Sequence, residues 1–239
     1  LLKFGVAAIV AGMSLAEPDL STALATRRPR GRPRKTADER DDGNRRRELV
    51  AGAARLFRQQ GFSATSTRDI AAAVGMRSGS PFYHFESKEA LLGAVMLEGM
   101  QGALQRQQAA LALLPAGASP RERLRVLVRN HFDVLLGPDS DFIPVMLYEW
   151  RSLENTQRAE VNRLKDRYEA EWVPELEALH AQGQLGADPA LARLMIFGAL
   201  NWSAQWYVPP SGRSAKARAR ASLDDLTTSA LQLFLKEPA

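Results

Sequence analysis

Apolar residues recur at three- and four-residue intervals from about Arg45 onward, and no stretch alternates with the two-residue period of a half-buried strand. The pattern predicts an all-α protein. Its first period lies in RRRELVAGAARLFRQQG, where Leu49, Ala53, Leu56 and Phe57 share one face, basic residues take the other, and Gly61 ends the helix. Two short helices joined by a tight turn follow between Ser66 and Lys88. Ser66 with Asp69 three residues on makes a capping-box start, and Ile70, Ala71 and Val74 supply a small apolar face. Gly75 breaks that helix at a point suited to a left-handed residue. Ser78 caps the next helix and puts Pro81 at its third position, where a missing N–H costs nothing. The aromatic run Phe82, Tyr83, His84, Phe85 ends it, and Ser87 caps a new helix at Lys88. Closing the three helices on Leu49, Phe57, Phe62, Ile70, Phe82 and Phe85 gives a small headpiece with a helix-turn-helix.

The remaining chain reads as long helices. One runs from Lys88 towards Leu114 and stops at Pro115 and Gly117. Ser119-Pro120-Arg121-Glu122 is a capping box with proline at the first helical position, opening a helix that carries Leu124, Leu127, Val128, His131, Phe132 and Leu135 inward. A short apolar helix covers Phe142 to Leu153. Val161, Leu164, Tyr168, Trp172, Leu176 and Leu179 mark a long amphipathic helix expected to bend near Pro174. Asp188-Pro189 starts another that is expected to reach Tyr207, and Ser222 caps a last one with Leu223, Leu226, Ala230, Leu233 and Phe234 inward.

Charge alters this picture at one end. The 239 residues carry a formal net charge of +5, but six of the nine residues from Arg27 to Lys35 are Arg or Lys. They lie in a polar stretch, Glu17 to Asn44, with no helical period, so residues 1–44 are expected to form a flexible arm. Within it RPRGRPRK resembles an AT-hook: proline and glycine keep the chain thin, and arginine is drawn to the negative potential of a narrow minor groove. Arg30, Arg32 and Arg34 are the candidate contacts, either as non-specific phosphate binders or as minor-groove readers. The apolar run at residues 1–16 is shorter than the roughly 20 residues of a membrane helix and lacks a clear basic region and cleavage site. It opens on Leu1, and Met13 is a candidate native start.

No cysteine is present, and the three histidines form no metal-ligand spacing. Neither a nucleophile elbow nor a phosphate-binding loop appears, so no enzyme, cofactor or metal is expected.

Residues 45–92 resemble the DNA-binding headpiece of the TetR family of bacterial regulators. The likeness rests on the Leu-Phe-x-x-x-Gly-Phe run, Thr65, Asp69-Ile70-Ala71, Val74-Gly75-Met76, Gly79, Phe-Tyr-His-Phe and Ser87-Lys88-Glu89-Ala90-Leu91. It implies a helical homodimer bound to double-stranded operator DNA, with residues 93–239 binding a small effector and dimerising. It also implies that the helix around Ser78 to His84 enters the major groove and that Lys88 meets phosphate. Arg77, Tyr83 and His84 are the candidate base readers, with Ser78, Gly79 and Ser80 approaching base edges and Arg68 a phosphate anchor. His84 is equally suited to capping its helix. Where the family commonly has tyrosine this chain has Phe82, so that contact either passes to Tyr83 or becomes apolar.

Two further expectations depend on the resemblance. Leu191, Leu194, Met195 and Gly198 on the penultimate helix, with Leu226 and Leu233 on the last, are the candidate dimer stripe; the alternative is that they fill the monomer core. For the effector site, Tyr148-Glu149-Trp150-Arg151-Ser152-Leu153 and Asn201-Trp202-x-x-x-Trp206-Tyr207 are similar to regulators of lipid and sterol catabolism that respond to acyl-CoA thioesters. Candidate lining residues are Phe132, Met146, Trp150, Trp172, Trp202 and Trp206, although large aromatics more often fill cores. Arg151 and Arg193 are placed to meet a phosphate or carboxylate, or else to pair with a neighbouring acid. The expected function is a cytoplasmic repressor released by such an effector; another hydrophobic or aromatic effector, or an architectural DNA-binding protein with none, are the alternatives.

Overall fold

The computed structural model describes residues 37–76, 81–137, 140–207 and 221–237, with the backbone alone at 37–42 and 81–82. The described chain is helical: α1 (Ala37–Gln60), α2 (Thr67–Ala73), α3 (Pro81–His84), α4 (Lys88–Ala112), α5 (Pro120–Leu136), α6 (Phe142–Glu149), α7 (Asn155–Ala170), α8 (Val173–Ala181), α9 (Pro189–Trp202) and α10 (Leu223–Phe234). Short 3₁₀ turns extend α6 through Trp150–Ser152 and α9 through Ser203–Gln205. A lone antiparallel bridge between Leu185 and Leu235 is the one extended pairing among the described residues.

Helix starts follow the local chemistry. The Ser66/Asp69, Ser119/Glu122 and Ser222/Asp225 capping boxes all form, and the Asp188 carboxylate accepts from the N–H groups of Ala190 and Leu191. Each boxed carboxylate is held below its ordinary pKa, chiefly by hydrogen bonds from its capping serine. Gly61 and Gly75 close α1 and α2 with φ of 82° and 67°, a backbone state that a β-carbon penalises.

Two expectations need correction. Helix α1 begins at Ala37, not near Arg45, so the last part of the expected arm is helical. Hydrophobic period could not detect it, because ADERDDGN, residues 37–44, carries no apolar stripe. The long helix expected across Val161 to Leu179 is two, α7 and α8, parted at Glu171 and Trp172, with Pro174 in the first turn of α8. Trp172 is fully buried at that corner, which fixes the break ahead of the proline.

Helix α4 is the axis of the molecule, packed by α1, α5, α6 and α7. A β-carbon at Gly99 would lie 2.6 Å from the Phe142 β-carbon, so this glycine lets the start of α6 rest directly on α4. Helix α9 is two-faced: Ala192, Ile196 and Leu200 are buried, while Leu191, Leu194, Met195 and Trp202 are exposed. Nothing lies within 4 Å of a β-carbon built on Gly198. The stripe therefore does not fill the monomer core. Leu233 on α10 is exposed too, whereas Leu226 is half-buried against the core. Among the described residues no helix is long and apolar enough to cross a membrane.

Candidate DNA-binding headpiece and effector cavity

The headpiece is closed by α1, α2, α3 and the first turn of α4 around Leu49, Ala53, Phe57, Phe62, Ile70 and Phe85, all buried. Phe57 and Phe62 meet edge to face with centroids 5.3 Å apart. Arg46 lies over the Phe85 ring, 5.0 Å from its centroid, and pairs with Glu98, so one guanidinium joins α1, the end of α3 and α4.

Of the predicted DNA contacts, Arg68 is exposed on α2, and Tyr83 on α3 is 79 % exposed. Tyr83 and His84 stand edge to face, 5.2 Å between centroids. Exposed to that degree, the Tyr83 ring adds nothing to the headpiece core and is free to meet another surface. Arg30, Arg32 and Arg34, and Arg77, Ser78, Gly79 and Ser80, lie outside the described residues, as does the side chain of Phe82.

Lys88 is engaged within the fold. Its ammonium donates to the carbonyls of Phe62 and Thr65, 2.9 Å each, and stands 4.2 Å from the Phe62 ring centroid. Those carbonyls belong to the turn between α1 and α2, so Lys88 ties that turn to α4, with two of its three donors already used. Lys88→Met keeps the stem and removes the donors. We expect it to lower stability by about 1–2 kcal/mol in urea unfolding. The slope of log affinity against log salt for operator DNA should stay unchanged; a drop of about one would restore Lys88 as a phosphate anchor.

Helix α6 is fastened to the headpiece at both ends. At its start Arg58 of α1 donates to Asp141 (2.9 Å) and to the Ser140 hydroxyl (3.3 Å). At its end the Glu149 carboxylate accepts the Phe62 backbone N–H at 2.9 Å, steadied by the Ser152 hydroxyl at 3.3 Å. The same helix supplies Ile143, Met146 and Leu147 to the wall of a cavity of about 350 Å³.

That cavity is lined by α4 (Met100, Ala103), α5 (His131, Val134), α6, α7 (Lys165, Asp166, Tyr168, Glu169) and α9 (Arg193, Leu194, Phe197, Asn201). One part is apolar. Another is ionic: Arg193 pairs with Glu169, and Lys165 lies 3.6 Å from the same carboxylate. Arg193 thus takes the neighbouring acid that the sequence offered as its alternative. A third part is neutral and polar. His131 Nε2 is 3.0 Å from Asn201 Oδ1, and Nδ1 is 3.1 Å from the Tyr168 hydroxyl. A carbonyl oxygen only accepts, so the ring proton is on Nε2, and Nδ1 accepts from Tyr168. Burial pushes the His131 pKa down to about 4, partly opposed by the Asn201 bond, and also raises that of Tyr168. The chain is therefore uncharged near neutral pH.

A second hollow of about 530 Å³ adjoins the first, sharing Met146, Leu147 and Lys165 and adding Trp150, Arg151, Arg158 and Asn162. Of the predicted effector residues, Met146 lines both, and Trp150 and Arg151 line the second. The others do not line either. Phe132 is core, 3 % exposed. Trp172 is wholly buried behind the wall, its indole 4.6 Å from the Phe197 ring and its N–H donating to Gln107 Oε1 at 2.9 Å. Trp202 and Trp206 are 66 % and 40 % exposed. The polar residues His131, Tyr168 and Asn201 were not predicted as site residues. Their signal was present, since His131 and Tyr168 each occupy an inward position of an amphipathic helix, where a polar group needs a partner.

A helix-turn-helix headpiece joined by one long helix to a cavity-bearing helical domain is the architecture of a ligand-responsive DNA-binding regulator, and similarity to known proteins agrees. Residues 49–95 match the model for bacterial regulatory proteins of the tetR family, and residues 117–231 match a tetracyclin repressor-like C-terminal domain. The chain is 28% identical over 154 residues to the transcriptional repressor KstR2 of Rhodococcus jostii, spanning 63% of this chain and 72% of that protein. Among solved structures, AibR in complex with isovaleryl coenzyme A and operator DNA superimposes with a TM-score of 0.69 at 25% identity, over 80% of this chain and 97% of that one. The superantigen PfiT does so with a TM-score of 0.65 at 36% identity, over 80% and 96%. The chain belongs to the TetR family of transcriptional regulators and is a DNA-binding protein of that class.

Proposed function

We propose that this protein is a cytoplasmic, homodimeric repressor without enzymatic activity, released from its operator by the coenzyme A thioester of a hydrophobic acid. One observation carries the effector class: an apolar cavity and a basic hollow share a wall at Met146, Leu147 and Lys165. An acyl group fits the first. The second offers Arg151, Arg158 and Lys165 to phosphates and the half-buried Trp150 indole to a purine. The AibR likeness supports the same reading, since that relative was solved with a coenzyme A thioester and operator DNA together.

The exposed α9 stripe of Leu191, Leu194, Met195 and Gly198, extended by Leu233 of α10, is the proposed dimer face. Pairing there presents two headpieces to half-sites about 34–36 Å apart or at multiples of that spacing. Each headpiece, residues 45–92, would then read the major groove with Arg77, Tyr83 and His84. Ser78, Gly79, Ser80 and Phe82 would lie against base edges, and Arg68 and the arm arginines Arg30, Arg32 and Arg34 on the backbone or minor groove. Residues 93–239 form the effector and dimer domain.

Release requires the effector to favour the off-state, and a 100-fold preference is worth about 2.7 kcal/mol. Titration of a chain-length series of acyl-CoA thioesters into a protein–operator gel shift tests this. Dissociation by at least one thioester, and by neither free coenzyme A nor the free acid, is the expected result. No dissociation at saturating concentrations of any thioester would remove the coenzyme A reading.

A further inference from the structure

The neutral end of the cavity does more than satisfy buried groups. Tyr168, His131 and Asn201 come from three helices, α7, α5 and α9, and all three side chains line the same space as the apolar wall. Their hydrogen bonds run one way: the Tyr168 O–H donates to His131 Nδ1, and His131 Nε2–H donates to Asn201 Oδ1. With Oδ1 accepting, the two N–H donors on Nδ2 of Asn201 take no part in this chain and remain for a further acceptor. A hydrogen-bond donor fixed at the rim of an apolar cavity selects strongly, because filling the space with hydrocarbon leaves it unpaired.

We propose that the Tyr168–His131–Asn201 chain recognises a carbonyl oxygen on the apolar body of the effector, so that a ketone-bearing ring or chain binds in preference to the corresponding hydrocarbon. Asn201 donates to the oxygen. His131 and Tyr168 hold the amide in the orientation that turns its NH₂ outward, and are positioning residues. A carboxylate is the wrong partner here. His131 brings no charge, and the four ionic groups lining the cavity, Lys165, Asp166, Glu169 and Arg193, already sum to zero. The inference rests on this cavity being the effector site, but not on coenzyme A.

Matched probes without coenzyme A separate the two ideas. Binding of 1-tetralone and of tetralin to the full-length protein is measured by calorimetry, for the native chain and for Asn201→Leu. The ratio of the two affinities should favour tetralone about tenfold more in the native protein than in the variant. A purely structural role for Asn201 would weaken both probes alike and leave the ratio unchanged, which overturns the proposal, as does failure of both probes to bind the native protein. Should Asn201→Leu not fold, the carbonyl stretch of tetralone bound to the native protein decides: a band below its position in hexane supports the donor, and an unshifted band refutes it. Thioesters that fail to release the operator would sink the coenzyme A reading while leaving this result standing.

Discussion

Trp172→Ala is expected to lower the unfolding free energy by about 3–5 kcal/mol, read from urea unfolding at neutral pH. The indole is fully buried where α7 turns into α8. Its ring centroid is 4.6 Å from that of Phe197 and 6.0 Å from that of His131, so truncation removes two aromatic contacts along with the buried area. A polar cost adds to this. Gln107 is buried, accepting from the indole N–H and donating to the Tyr168 carbonyl at 2.8 Å; without the indole its oxygen has no donor. Leu113→Ala is the control, since Leu113 is 87 % exposed and the change should stay within about 0.5 kcal/mol. A loss below about 1 kcal/mol for Trp172→Ala would contradict its place in the interior. The variant also has a functional consequence. Phe197 lines the cavity, and a void behind it allows the ring to retreat, so bulkier effectors should gain affinity relative to slim ones.

Trp172 also marks how far the sequence could be read. Side chains that act on their own backbone were legible: the serine–acid pairs at Ser66, Ser119 and Ser222 became capping boxes, and Gly61 and Gly75 took left-handed conformations at the helix ends they mark. The apolar stripe on α9 was legible as a pattern, but whether it faced out or filled the core was not: Leu191, Leu194 and Met195 are exposed beside buried Ala192 and Ile196. The tryptophans were not. Trp172 and Trp202 are both apolar residues at helical spacing, and only tertiary packing decides that one is buried and the other exposed. The bonds of Lys88 within the fold were not legible for a related reason. Its position implied phosphate, but the carbonyls of Phe62 and Thr65 that engage it lie in a distant turn brought near by folding.

Helix α6 is what makes the cavity and the headpiece parts of one device. It carries cavity wall on one side, through Ile143, Met146 and Leu147, and is bonded to α1 and the α1–α2 turn through Asp141 and Glu149. Any displacement of Met146 by an effector therefore loads bonds that hold the headpiece. Glu149 matters most here, since it grips the Phe62 N–H while Lys88 grips the Phe62 carbonyl. One residue of the α1–α2 turn is thus held from both α6 and α4, and a shift of either reaches α2 directly.

Acid should destabilise this protein through His131 before the carboxylates respond. The imidazole has a folded pKa of about 4 against an ordinary value of 6.5, because burial disfavours its charged form. Above 6.5 neither the folded nor the unfolded state carries the proton, and His131 contributes no pH dependence. Between 6.5 and about 4 the unfolded chain binds a proton that the folded protein refuses, so stability falls as pH falls, by up to about 1.4 kcal/mol per unit. Below about 4 both states are protonated and the effect saturates. The capping carboxylates Asp69, Glu122 and Asp225 have lowered values, so their contribution is lost at lower pH, as it falls through those folded values. The window above about 4.5 thus isolates the histidine. Urea unfolding of the native protein and of His131→Gln, which keeps a neutral hydrogen-bonding side chain, should show the native protein losing about 2–3 kcal/mol more than the variant between pH 7 and 4.5. Parallel pH profiles would mean that His131 takes up its proton while folded. Water would then reach the ring, and the neutral, one-way hydrogen-bond chain that orients Asn201 would not hold.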